Sequence, residues 1–269
     1  MKKAAPYLIL ILLFAAAGWY FFTKEPDVVH ELPPPQLPPV MPAETEQVKP
    51  QIAEVIEYPV PEPEPEVVPE LLPLLNESDP EVRQALSEMV GANPLAMYLV
   101  KDHVVSRMVV TLDSLTSRQV PAEFNPIKPA SDKFVIETEG DRLVLSPENF
   151  TRYDGYIALI KDVDAGTLMM IYQHYSPLFQ EAWEDNGGEG PFDDRMVELI
   201  DHLLETPDVP GPVYLTKPEA VYLFEEPALE AMSAGQKILI RMGSANAAIV
   251  KEKLVELRSE LVRNSLPTF

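Results

Sequence analysis

The chain has no cysteine among its 269 residues. Disulfides, thiolate zinc sites, thiol nucleophiles and lipidation at a lipobox cysteine are therefore all excluded. Positive charge is scarce too, with 21 lysines and arginines against 43 aspartates and glutamates, a formal net charge of −22. From residue 74 onward the balance is 17 against 32, or −15. Such a surface repels phosphate backbones and anionic headgroups, which argues against nucleic acid or a peripheral membrane as partner. Catalytic signatures are missing. No Gly-x-Ser-x-Gly elbow holds a serine on a strained turn, and neither His103 nor His174 has a second histidine at metal-ligand spacing. Ser233-Ala234-Gly235-Gln236-Lys237 lacks the first glycine of a phosphate loop and the Ser or Thr after its lysine. It reads instead as a capped helix start with Lys237 facing solvent. No cofactor is expected.

What is present begins with an uncharged run. Met1-Lys2-Lys3 precedes residues 4–22, which carry no charge and as a helix span about 28 Å, close to the thickness of a hydrocarbon core. The lysines precede the run and an acidic segment follows it, so the positive-inside bias keeps the N-terminus in the cytoplasm and exports the rest. A cleaved secretory signal is the competing reading, with residues 7–14 as its apolar part and Ala15-Ala16-Ala17 as its cleavage site. Trp19-Tyr20-Phe21-Phe22 favours a retained anchor, since aromatics gather at the membrane interface and these extend the run to spanning length.

Residues 24–73 hold 14 prolines and 11 acidic residues and no helical or alternating period, so this segment is predicted not to fold. The Pro-Glu alternation at 61–66 favours polyproline II. Fully extended, the segment reaches roughly 150 Å. The resulting division is an anchor over 1–23, a Pro/Glu-rich linker over 24–73 and a soluble domain over 74–269.

Within that domain helical periods dominate, and the fold class is mainly α with a small β component. Asp79-Pro80 reads as an N-cap followed by proline at N1, with Val82, Ala85, Leu86, Met89 and Val90 on one face and Gly91 as the stop. Asn93-Pro94 restarts the chain in the same way. Val104, Val105, Met108, Val109, Leu112 and Leu115 predict a buried helix. Phe134-Val135-Ile136 and Leu143-Val144-Leu145 flank Glu139-Gly140-Asp141 as a β-hairpin. Ser146-Pro147 opens one helix carrying Phe150, Tyr153, Ile157 and Ile160. A longer helix over 164–184 bears the aromatic stripe Tyr172, Tyr175, Phe179 and Trp183, with Pro177 predicted to kink it. Further helices are predicted from Asp193 or Asp194 to Thr206, from Ser233 to Gly243, and from Ser244 to about Arg263. Val213-Tyr214-Leu215 and Val221-Tyr222-Leu223-Phe224 read as short strands paired with each other.

The best polar constellation is Asp194, Glu198 and His202 at i, i+4 and i+8, with Asp201 nearby. This is ligand or acid–base spacing on one helix stripe, and equally the ordinary solvated side of an amphipathic helix. His202 near the helix C-terminus also suits the dipole. The aromatic stripe, with Gln180 and Glu181 as polar contacts, is core by its spacing and a ligand groove only if exposed.

Leu71 to Asp79, Tyr153-Asp154, the run from Tyr175 to Ala182, Asp194-Arg195, Ile200 to Leu204, and Leu229 to Lys237 through Arg241-Met242-Gly243 resemble a proteobacterial family of membrane-anchored envelope proteins whose soluble part is a domain of unknown function. That resemblance implies an anchor, spacer and helical head in the bacterial inner membrane and periplasm, and no catalytic residue. A weaker, compositional likeness to energy-transducing proteins of the TonB kind fails in the C-terminal domain. The expected role is a non-enzymatic adaptor or scaffold for another envelope protein, of undetermined oligomeric state. Its candidate interaction surface is Tyr175, Phe179, Gln180, Glu181, Asp194, Arg195, Asp201, His202, Gln236, Lys237 and Arg241. The alternatives are an envelope-polymer enzyme using the α-helical carboxylates and a small-ligand sensor using the aromatics.

Overall fold

A computed structural model describes residues 72–91, 98–100, 102–128, 133–162, 164–218 and 221–264. The predicted membrane span, the Pro/Glu segment apart from Leu72 and Pro73, and the helix restart at Asn93-Pro94 lie outside these residues. No described helix is long and apolar enough to cross a membrane. Leu72 packs on the core, two residues ahead of the predicted domain boundary.

A short 3-10 turn, Leu75–Glu77, leads into helix α1, Asp79–Val90, which Gly91 ends at φ 85°. Asp79 does not cap this helix. Ser78 already has helical backbone there, and its hydroxyl donates to the Leu75 carbonyl at 2.7 Å. The Asp79 carboxylate instead accepts the backbone N–H groups of His103 and Val104, each at 2.7 Å. These begin α2, Val104–Ser114, whose N-cap His103 lies in the left-handed region and gives no side-chain cap of its own. Asp79→Ala removes both acceptors and is expected to cost about 1–2 kcal/mol. Thermal unfolding followed by circular dichroism checks this, and Asp79→Asn, which keeps one acceptor oxygen, should lose less.

Helix α2 buries Val104, Val105, Met108, Val109 and Leu112 and packs on α5 (Ala165–Asp185), α6 (Phe192–Leu204), the 3-10 turn Ala122–Phe124 and α1. The C-terminal helix α9, Ser244–Asn264, closes the bundle by packing on α4 (Asp154–Asp162), α5 and α6. Asp164 caps α5, its carboxylate accepting from the Thr167 N–H at 2.8 Å and hydroxyl at 2.7 Å. The helix then continues through Pro177 to Asp185. The single helix predicted after Ser146-Pro147 is two, α3 (Glu148–Thr151) and α4. The division follows the cores: Phe150 packs on the sheet cluster, while Tyr153, Ile157 and Ile160 join the helical one.

The sheet joins both predicted strand pairs into one antiparallel order, β1 (Ile136–Glu139), β2 (Arg142–Leu145), β3 (Tyr214–Thr216) and β4 (Leu223–Phe224). Gly140, at φ 61°, is the first of the two turn residues between β1 and β2, as a primed turn requires. Leu143 pairs with Leu215 and Val144 with Tyr214, linking the hairpins. The buried face presents Leu145, Leu215 and Phe224 to Leu229 of α7 (Pro227–Glu230) and Ile240 of α8 (Ala234–Arg241). Ala234, Ile238 and Leu239 of the same α8 belong to the helical core. Helix α8 is thus the joint between sheet and bundle.

Candidate functional site

The polar stripe on α6 divides among three different neighbours. Arg195 reaches α2: its Nε donates to the Asp113 carboxylate at 2.8 Å, and Nη2 to the Thr116 hydroxyl at 2.6 Å. It also holds Glu198 at 3.2 Å. Asp201 forms a two-point pair with Arg258 of α9, at 2.5 and 2.8 Å. His202 sits at the α8 N-cap, with its Nε2 2.8 Å from the Ser233 hydroxyl, and its carbonyl accepts from Gln236 at 3.2 Å. Ser233 and Gln236 complete a capping box around this contact. Asp194 and Glu198 of the stripe are exposed. Among the described residues no three His, Asp or Glu side chains are grouped as a metal would require.

Arg258 holds the Asp201 carboxyl below its ordinary range, chiefly through that hydrogen bond. A carboxylate with a depressed folded-state pKa contributes stability above its unfolded pKa and loses it as pH falls through the folded value. Arg258→Ala is therefore expected to return the Asp201 titration to the usual aspartate range, read by carboxyl-carbon NMR, with little change in Tm because the pair is largely solvated.

Four of the predicted surface residues lie inside the protein. Tyr175 and Phe179 are core, with Phe179 stacked on Phe192 at 6.1 Å between ring centres. The aromatic stripe is packed because α1, α2 and α6 cover it, and Tyr175 donates to Glu81 of α1 at 3.3 Å. Lys237 and Arg241 are each 3% exposed. Lys237 therefore does not face solvent. It occupies the seam beside α7, where its ammonium meets the Glu230 carboxylate at 2.8 Å. Arg241 donates to the Tyr222 carbonyl at 3.2 Å and lies over the Phe224 ring. A period-based reading missed them because cations on an apolar helix are assigned outward by default.

Gln180, a half-buried residue, fastens the loop before α6. Its Oε1 accepts the Phe192 N–H at 2.7 Å, and its Nε2 donates to Glu184 at 2.8 Å and to the Gly190 carbonyl at 3.1 Å. Glu181 is exposed. The predicted surface is thus scattered over the bundle and is not one patch.

Concavity lies elsewhere, around residues 206–213. Three adjoining depressions of about 500, 390 and 180 Å³ share walls. Phe150, Gly211 and Val213 line the first two, and Val209, Ile240 and Ser244 line the second and third. The sequence signal for it was Pro207, Pro210, Gly211 and Pro212, a stretch unable to continue α6 or to begin β3.

A family model described as "Protein of unknown function (DUF3014)" matches residues 104–258. No curated protein and no solved structure matches the chain. The matched stretch takes in α2 through Arg258, and with it every ion pair and cap on α6 described above.

Proposed function

We propose that this chain, which belongs to the family described as proteins of unknown function (DUF3014), is a membrane-anchored adaptor whose folded head binds another protein of the bacterial envelope without acting on it chemically. Residues 4–22 supply the anchor in the inner membrane, 24–73 the acidic spacer, and the head lies in the periplasm. The observation that carries this reading is the use made of the α6 stripe. Arg195, Asp201 and His202, the groups with catalytic or ligating chemistry, are spent on holding α6 to α2, α9 and the α8 cap. A pair of carboxyls converging in a cleft, which glycoside chemistry needs, is not what Asp194, Glu198 and Asp201 make: one is turned to water, one is held by Arg195 and one by Arg258. The formal charge of −15 from residue 74 onward favours a basic partner surface.

A proximity-labelling enzyme fused after Phe269 of the full chain tests this in living cells. A reproducible set of exported proteins is expected, lost when residues 74–269 are removed and the anchor and spacer kept. Labelling that is the same with and without the head would overturn the proposal.

A further inference from the structure

The groove around residues 206–213 has a chemistry of its own. Apolar residues line it: Leu145 and Val213 from the core face of the sheet, Val144 from the opposite, Glu137 face, and Ile240 and Met242 from α8 and its C-cap. Its rim carries four exposed carboxylates, Glu137, Glu139, Asp154 and Asp208, against one ammonium, Lys251. Lys251 donates to the Thr206 carbonyl. Glu137 and Glu139 are steadied by the hydroxyls of Ser146, at 2.6 Å, and Tyr214, at 2.8 Å. The guanidinium nearest them, Arg142, is paired with Glu225 at 3.1 Å. Pro147, Pro207 and Pro212 complete the walls, and proline presents a carbonyl but no N–H. The rim is therefore rich in carboxylates, while the first turn of α9, Ser244 to Asn246, brings backbone N–H groups to the second depression.

We infer that this groove receives an extended, cationic segment of a protein partner, whose lysines or arginines meet the rim carboxylates while its apolar side chains settle on the apolar lining. The inference rests on the adaptor reading above and names the surface and the partner's chemistry. Charge complementarity selects this occupant. A second copy of a chain with net charge −22, or the acidic segment 24–73, would be repelled from the same rim, as would nucleic acid or an anionic bilayer.

Fluorescence anisotropy on the purified full-length chain provides the test, with a fluorescein-labelled peptide of six Lys-Val repeats as probe and its Glu-Val counterpart as reference. Any polycation is drawn to so acidic a protein, so two equal charge reversals are compared. Glu139→Lys with Asp208→Lys is expected to weaken Lys-Val binding at least about tenfold, while Asp185→Lys, at the last residue of α5, with Glu189→Lys, on the loop that follows, changes it less than about threefold. Equal losses from both pairs, or equal binding of the Glu-Val peptide, would overturn the inference. Asp208→Lys alone, on an exposed loop, set against Glu189→Lys alone gives the same comparison should the double variant fold poorly.

A benzoylphenylalanine crosslinker at position 212 or at position 189 of the full chain in cells separates the two readings. Crosslinks from 212 support the groove. Crosslinks from 189 alone leave the adaptor standing and remove the groove, and none from either position removes both.

Discussion

Replacing Glu230 with alanine is expected to cost about 3–5 kcal/mol, the usual consequence of breaking a buried ion pair by removing one member, and to lower Tm by roughly 10 °C for a domain of this size. The Lys237 side chain is only 4% exposed and Glu230 26%. One Glu230 oxygen accepts the ammonium at 2.8 Å and the other the Phe224 N–H at 2.8 Å, while the Glu230 carbonyl is 3.3 Å from the same ammonium. Alanine removes this carboxylate from Lys237 beside the buried Arg241 at the seam between bundle and sheet. Burial already pushes the Lys237 pKa down, and Glu230 works against that push, so the variant should carry a deeper depression. With a folded-state pKa below the unfolded one, the unfolded chain binds more protons and stability rises with pH until the unfolded lysine also titrates. The deficit of Glu230→Ala should therefore narrow between neutral pH and about pH 10. Lys237→Met, which removes the charge and keeps the stem, should cost far less, and adding it to Glu230→Ala should recover most of the loss. Urea unfolding of the three variants decides it. A loss under about 1 kcal/mol for Glu230→Ala would mean the ammonium finds water, since a solvated charge costs little.

That seam also shows what the sequence could and could not reveal. Elements were legible wherever one period ran uninterrupted against one core. Val104 to Leu112 on α2, and the hairpin around Gly140, appear where the pattern put them, and the aromatic stripe is core as its spacing required. Errors fall where a segment serves two neighbours. Phe150 and Tyr153 share a helical spacing but belong to different cores, which divides the predicted helix. Asp79 has cap chemistry, yet it caps a helix 25 residues onward, because it sits one residue inside its own helix, where Ser78 holds the N-cap position without a side-chain cap. The pairing of β2 with β3 joins residues about 70 positions apart, and no local signal encodes it. For the candidate surface the difficulty was one of sign. Periodicity tells which positions face inward but not that a lysine and an arginine occupy two of them, and His202 met Ser233 only once α6 and α8 were brought together. The groove was least legible, since its walls come from four separate stretches and its clearest trace was a run of prolines.

Gly243→Ala should rank next in effect, at about 2–5 kcal/mol, because it combines two separable costs. Gly243 precedes α9 at φ 84°, and a Cβ there would stand 2.9 Å from two carbons of the Phe150 ring. A left-handed L-residue costs about 1–2 kcal/mol, and pressing a methyl into packed aromatic carbons adds about 1–3 kcal/mol more. Gly187 isolates the first of these: its φ is 83° and a Cβ would meet nothing within 4 Å. Gly187→Ala should therefore lose only the backbone share. The excess loss of Gly243→Ala over Gly187→Ala measures the contact with Phe150, and Phe150→Leu, which shortens the ring to a branched chain, should reduce that excess when combined with Gly243→Ala. Because Phe150 and Gly243 also line the groove, the methyl should disturb peptide binding there. Gly187→Ala, on the loop after α5, should leave it unchanged. Equal losses of stability from the two glycine variants would show that the ring yields freely, and that the wall of the groove is soft at this point.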